Sequence, residues 1–139
     1  MPTDLQTAVR QSVDLPDRQL WRAMGRGFMG RCPHCGEGKL FGKFLKVRHH
    51  CESCGEEFHY HRADDLPAYL SIIIVGHVVV GGMMHMAMVD DAVSPLMYLA
   101  TLIPLTIVMS LGLLQPIKGA VVGLQWANYM HGFHPTIED

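Results

Sequence analysis

The stretch that decides the fold class is "LPAYLSIIIVGHVVVGGMMHMAMV", Leu66–Val89, which contains no formally charged side chain. At ~1.5 Å per residue, a helix of this length covers the ~30 Å hydrocarbon core of a bilayer. A second uncharged run, Leu96–Leu114, follows after a short segment that contains Asp90, Asp91 and Pro95. The remaining chain is too short to bury both runs in a soluble core. The two runs therefore predict a transmembrane helical hairpin.

The basic residues predict how this hairpin is oriented. All but one of the 11 Lys and Arg residues precede the first run, the exception is Lys118 after the second run, and the connecting turn has none. The positive-inside rule therefore places both ends of the chain on the cytoplasmic side. Because membrane orientation already explains the basic residues and the formal net charge is -2, we expect no nucleic-acid partner.

Upstream of the first run lies a C-x2-C-x15-C-x2-C pattern formed by Cys32, Cys35, Cys51 and Cys54. This spacing is typical of zinc sites in which two tight turns each supply two thiolates. A site closed by four thiolates has no position for substrate or activated water, so the pattern predicts a structural metal. Zinc is the expected ion, and iron stays open because tetrahedral sulfur suits both metals.

The segment between the cysteine pairs is expected to form a zinc ribbon. In "KLFGKFLKVRHH" two short strands are predicted around Gly42, with apolar side chains that cover the site. A segment of this size cannot bury enough apolar surface to fold alone, and bound zinc supplies the missing free energy.

The first run also carries histidine and methionine side chains on one helical face. At 100° per residue, His77, Met84 and Met88 fall close together and His85 lies to one side. Histidine in a membrane span indicates a function, since its exposure to lipid is costly. Three uses are open: a hydrogen bond to the second helix, where Thr101, Thr106 and Ser110 offer partners; a copper site from His85 and the methionines; or haem ligation by His77. Interhelical packing with one hydrogen bond is the favoured interpretation.

A helix is predicted on the N-terminal side of the ribbon, in "DLPDRQLWRAMGRGF". Its apolar side chains fall on one side and its arginines on the other, which is typical of a basic amphipathic helix on the inner membrane surface. The apolar set is Leu20, Trp21, Met24 and Phe28, and the basic set is Arg18, Arg22 and Arg26.

A further helix is predicted after the second run, in "QPIKGAVVGLQWANYMHGF". Pro116 can break or restart the helix there. The segment is expected to be an interfacial or partner-binding helix that ends at Gly132. Gly119 and Gly123 permit the close approach of another helix.

The sequence also resembles a known family. The stretches "CPHCGEGKLF", "CESCG", "HRADDLPAY", "VGHVVV" and "QPIKGAVVGLQWANYMHGF", in this order, resemble the small bacterial membrane family catalogued as domain of unknown function 983. The resemblance implies a two-span inner-membrane protein with a cytoplasmic zinc ribbon. It also implies a role beside a respiratory terminal oxidase, since members are frequently encoded among cytochrome oxidase genes. No catalytic residues are established for the family. The matching positions are Cys32, Cys35, Cys51, Cys54, Asp65, Pro67, His77, Gln115, Lys118, Gly119, Gln125, Trp126 and His131.

Together these observations predict a mainly α membrane protein in which a two-helix transmembrane hairpin follows a small zinc-ribbon β segment and is flanked by amphipathic helices. The expected segments are a tail with a basic helix (1–30), the ribbon (31–58), a juxtamembrane segment (59–65), the first span (66–89), a periplasmic turn (90–95), the second span (96–114), and an interfacial helix and tail (115–139).

The expected function is that of a non-catalytic accessory subunit or assembly factor in the bacterial inner membrane. Its partners would be other membrane-protein subunits, among them those of a terminal oxidase. The residues proposed to contact them are Asp65, Lys118, Gln125, Trp126 and His131. The alternative is a copper- or haem-handling protein that uses His77, His85, Met84 and Met88.

Overall fold

The computed structural model describes residues 15–63, 65–89 and 92–133. Its elements, in chain order, are helix α1 (Leu20–Phe28), strands β1 (Phe41–Lys43) and β2 (Lys46–Val47), helix α2 (Leu66–Val89) and helix α3 (Pro95–Ala127). The predicted fold class is confirmed: the chain is mainly helical, with two long apolar helices and one antiparallel two-stranded sheet. The expectations for the tails at 1–14 and 134–139 and for Asp90 and Asp91 in the turn lie outside the described residues.

The helices α2 and α3 form an antiparallel hairpin that leaves its apolar surface uncovered. Only 6 % of the most apolar stretch of each helix is buried against the rest of the described chain. The core helix of a soluble protein would instead be mostly buried. By length and composition, both helices are suited to cross a membrane.

A contact near the middle of the hairpin sets the register of the two helices. A Cβ atom placed on Gly82 would lie 3.7 Å from the Leu102 side chain. Counting equal numbers of residues along the two antiparallel helices puts Leu66, the start of α2, at the level of Lys118 in α3. The part of α3 beyond this level has no counterpart in α2.

The helix α3 is longer than the sequence indicated. Pro116 was expected to break or restart the helix after Leu114, but α3 is one helix of 33 residues with Pro104 and Pro116 inside it. A proline removes one backbone hydrogen bond and crowds the preceding turn, which favours a helix end. Here the three turns after Pro116 are covered by other parts of the chain, and this packing outweighs the local preference.

The hydrophobic core lies around this extension of α3. It is formed by side chains of the cysteine-containing segment (Leu40, Phe41, Val47 and Phe58) and of α3 (Ile117, Val121, Val122 and Trp126). We call the unit made of residues 15–63 and 115–133 the head. The ribbon therefore shares its core with α3, because five of the 14 core residues come from the helix that continues the second apolar run.

The helix α1 packs along the extension of α3 through its smallest residues. A Cβ atom on Gly119 would collide with the carbonyl group of Gly27, and one on Gly123 would collide with the carbonyl group of Ala23. The pairs show that α1 runs antiparallel to α3. The apolar set expected to contact the membrane is divided: Leu20 packs against the core, whereas Trp21 and Phe28 are 82 % and 50 % exposed. The small residues decide the packing because they allow the two backbones to touch.

Candidate metal centre

Two matching turns bring the cysteines together. The backbone N–H of Gly36 donates to the carbonyl of Cys32 over 2.8 Å, and the N–H of Gly55 donates to the carbonyl of Cys51 over 3.0 Å. Both glycines have positive φ angles, +75° and +77°, which glycine adopts without steric cost. Each C-x2-C-G sequence thus closes into the same tight turn.

The four sulfur atoms lie in one cluster, with all Sγ atoms within 4.8 Å of one another. The Sγ atoms of Cys32 and Cys54 are 3.7 Å apart, and so are those of Cys35 and Cys51. Four thiolates at ~2.3 Å from a tetrahedral zinc ion would be about 3.8 Å from one another. The four sulfur atoms are therefore close enough to bind one metal ion, and sulfur ligands suit both zinc and iron.

The surroundings of the cluster shift the pKa values of three of its thiols in different directions. Backbone N–H groups, first that of Gly38 and then that of Glu37, lower the pKa of Cys35 to about 6 against the opposing effect of burial. Burial raises the pKa of the Cys32 thiol and that of Cys54, and backbone N–H groups oppose it only in part. The protein alone therefore does not favour four thiolates, and a bound cation is needed to hold all of them ionised.

One further glycine is required at the cluster. A Cβ atom on Gly38 would collide with the Sγ atom of Cys51. The N–H of Cys32 also donates to the carbonyl of Gly38 over 2.8 Å, which anchors the chain beside the first turn. No sequence pattern identifies Gly38, because its contact partner is distant along the chain.

Arg26 connects helix α1 to the first cysteine turn. One guanidinium nitrogen, Nη1, donates to the carbonyl groups of Pro33 over 3.2 Å and His34 over 2.7 Å. A Cβ atom on Gly36 would lie 2.7 Å from the Arg26 Nε atom, so this cation lies close to the thiolate cluster. Only the arginine spacing was visible in the sequence, and no sequence pattern identifies backbone carbonyls as the acceptors.

Two residues predicted to contact partners have internal hydrogen bonds. The Lys118 ammonium group donates to the carbonyl of Leu45 in the hairpin turn over 2.8 Å. The side-chain Nε2 of Gln125 donates to the carbonyl of Arg62 over 2.9 Å. Its Oε1 accepts from the backbone N–H of Arg62 over 3.1 Å. The side chains of α3 thus hold the hairpin turn and the segment that leads into α2.

A third such residue, Trp126, is 6 % exposed and lies in the core of the head. The Arg18 guanidinium group donates to the Trp126 carbonyl over 2.7 Å, lies 4.1 Å above its ring, and also lies 4.0 Å above the Tyr129 ring. The indole Nε1 of Trp126 has no hydrogen-bond partner among the described residues. The remaining two predicted contacts, Asp65 and His131, are exposed.

The histidine and methionine face of α2 is exposed as well. The Nδ1 atom of His77 donates over 2.7 Å to the carbonyl of Ile73, one turn earlier in α2, and not to the second helix. The hydroxyl groups of Thr101 and Thr106 likewise donate to carbonyls of their own helix. These bonds form because the acceptor four residues earlier is always within reach.

The other side chains of this face do not belong to a metal-binding cluster among the described residues. His85, Met84 and Met88 are exposed. In the part of the chain that the structure describes, the four cysteines form the one group of three or more His, Cys, Asp or Glu side chains close enough to share a metal ion.

Fold and metal centre together define a class of small proteins: a hairpin of two long apolar helices with a four-cysteine head built on one of them. The chain belongs to the family described as "Protein of unknown function (DUF983)", whose model matches residues 41–126. The match runs from β1 to Trp126 and includes the second cysteine pair and both long helices. It confirms the resemblance found in the sequence. No curated protein and no solved structure matches the chain.

Proposed function

We propose that this protein is a non-catalytic accessory subunit or assembly factor of the bacterial inner membrane, with α2 and α3 spanning the bilayer and the head in the cytoplasm. The observation that carries the proposal is the construction of the head on α3. A closed metal site and its core are fixed to a long apolar helix, so the metal holds a binding surface in place at the membrane.

Orientation and metal identity belong to the same proposal. The excess of Lys and Arg on the side of the head supports a cytoplasmic position, where thiols stay reduced. Zinc is the proposed ion, since it prefers four thiolates in tetrahedral geometry and has no redox chemistry that the rest of the head would need to control.

The partners are proposed to be other membrane-protein subunits, with a respiratory terminal oxidase as the first candidate from the gene context of the resembling family. The surface available to them differs from the one expected from the sequence. Lys118, Gln125 and Trp126 have bonds inside the head, whereas Trp21 on α1 is 82 % exposed. Exposed tryptophan is enriched in binding surfaces, so Trp21 is the better candidate for contact.

Co-purification tests the proposal. Tagged protein is extracted from native membranes in a gentle detergent, and co-purifying proteins are identified by mass spectrometry. We expect terminal-oxidase subunits to be enriched, and Trp21→Ala to reduce them at least fivefold while bound metal is unchanged. The matched control is Trp126→Ala, which should release metal as well, because Trp126 is part of the core. Normal oxidase assembly and activity in cells that lack the gene would refute the oxidase role.

One observation favours a second candidate, the handling of haem or copper. Because the Nδ1–H of His77 donates to a backbone carbonyl, its Nε2 is the free acceptor and lies on an exposed face near the middle of α2. Metal-binding histidines are commonly held in this way. If this candidate is right, His77→Ala abolishes a Soret band or bound copper in the purified protein. A wild-type protein without either would exclude it.

A further inference from the structure

The register of the helices places one side of the head at the membrane surface. Leu66, where α2 begins, lies at the level of Lys118, and Lys118 donates to Leu45 in the turn between β1 and β2. The contact between Gly27 and Gly119 puts the end of α1 at the same level. The β hairpin turn and the end of α1 therefore lie where the hydrocarbon core gives way to lipid headgroups.

The hairpin turn combines exposed apolar and basic side chains at this level. Leu45 has a φ angle of +56°, which closes a tight turn. Phe44 at its tip is 53 % exposed, and the lysines on both sides, Lys43 and Lys46, are exposed. An exposed aromatic ring between two lysines is unfavourable in water, but it suits a membrane interface, where the ring inserts and the lysines contact phosphates.

A cleft beside the turn adds two more cations. It lies between the end of α1, the ribbon and α3, and it is lined by Arg31, Lys39 and Gln115, by the acidic Glu37, and by the apolar Met29 and Phe41. Gln115 is one turn nearer to the hydrocarbon than Lys118, so the cleft opens at headgroup depth. Among the described residues, no ion pair involves Arg31, Lys39, Lys43 or Lys46, and these charges are free for another partner.

We propose that Arg31, Lys39, Lys43, Phe44 and Lys46 form a lipid-docking rim that binds the headgroups of anionic phospholipids while the Phe44 ring enters the interface. The rim goes beyond the adaptor role and rests on the proposed membrane span. Orientation by the positive-inside rule explains basic residues near the membrane, but it requires neither an exposed phenylalanine between two of them nor a cleft at headgroup depth. Docking would fix the head against the bilayer at a second point besides α3.

Depth-dependent fluorescence quenching tests the position of the rim. Full-length Trp21→Phe protein, with and without Phe44→Trp, is reconstituted into nanodiscs that contain phosphatidylglycerol and lipids spin-labelled near the headgroup. The added tryptophan should be quenched more than twofold, whereas Trp126, buried in the head, should not be quenched. An unquenched Phe44→Trp variant in loaded nanodiscs would overturn the rim. Failure of the parent protein to enter nanodiscs or to resist carbonate extraction would instead overturn the membrane span.

Lipid retention tests the headgroup chemistry. The protein is extracted from mixed phosphatidylcholine and phosphatidylglycerol membranes, and the lipids that stay bound are counted by native mass spectrometry. Lys43→Gln and Lys46→Gln should each weaken phosphatidylglycerol retention about fivefold, more so at low salt. The matched control is Arg22→Gln, the same loss of charge on an exposed α1 residue further from the membrane. Equal effects in control and rim variants, or no preference for the anionic lipid, would refute the rim, and unchanged metal content shows that each variant is folded.

Discussion

At the scale of single residues, the metal centre depends on four sulfur atoms and on the lack of a Cβ atom at Gly38. Two pairs of Sγ atoms are already 3.7 Å apart, close to the spacing that a tetrahedral ion requires, and all four lie within 4.8 Å of one another. Gly38 lies against the Cys51 sulfur so closely that no side chain fits between them. The sequence was sufficient to identify the four cysteines, because ligand spacing is a local pattern. The sequence pattern does not identify Gly38, because the need for glycine there arises from a contact across the cluster.

Replacement of a ligand should remove the metal. Cys51→Ser replaces a thiolate by a hydroxyl group that binds zinc poorly, and bound zinc contributes roughly 10–16 kcal/mol to small domains of this kind. We expect loss of the stoichiometric metal and rapid proteolysis of the head, measured by elemental analysis and limited trypsin digestion. Ser53→Ala, two residues away and exposed, should keep both properties. A wild-type protein that contains neither zinc nor iron would contradict the metal centre itself.

The steric role of Gly38 gives a separate prediction. Gly38→Ala places a methyl group on the Cys51 sulfur, so one ligand must move and metal affinity should fall at least tenfold in competition with a chromophoric chelator. Gly42→Ala is the comparison, since its added Cβ would lie an ordinary 3.6 Å from Arg48. If both variants bind metal equally, the site is more adaptable than the geometry implies.

At the scale of the elements, the main result is that α1 and the ribbon use the end of α3 as their scaffold. The sequence predicted the helices and the hairpin, since charge-free runs and amphipathic spacing are local signals. It did not predict a continuous α3, because Pro116 favours a break and only the packing of the head overrides this preference. The same packing explains why Gln125 and Trp126 are buried in the head, although they were expected to contact a partner.

The contact between α1 and α3 should be sensitive to one methyl group. Gly119→Ala would push a Cβ atom into the Gly27 carbonyl group, and overpacking of this kind costs roughly 1–3 kcal/mol. We expect a lower unfolding midpoint of the head in detergent, followed by the fluorescence of Trp126 in a Trp21→Phe background. Gly112→Ala serves as the control in the same helix, because nothing lies within 4 Å of its added Cβ atom. If Gly112→Ala lowers the unfolding midpoint and Gly119→Ala does not, the proposed contact between α1 and α3 is wrong.

At the scale of the whole molecule, the proposed topology can be tested from both sides of the membrane. Ala92→Cys, just after α2, should react with a membrane-impermeant maleimide in intact spheroplasts. Trp21→Cys should react only after permeabilisation, because the head is proposed to lie inside. The native cysteines, held by metal, should stay unlabelled in both cases. Labelling of the Trp21→Cys variant from outside would invert the orientation derived from the basic residues.

The construction of the head on α3 has a consequence for biosynthesis. The ribosome makes the cysteine-containing segment before α2, but part of the core that covers it, from Ile117 to Trp126, is made only after α2. Helix α2 and the first part of α3 lie between the two in sequence, so they are made before the core can close. The ribbon therefore stays incompletely covered until the end of α3 has been made. If the hairpin enters the membrane during synthesis, as proposed, the head would close only after insertion, and a chain that stops before α3 would keep its thiols uncovered.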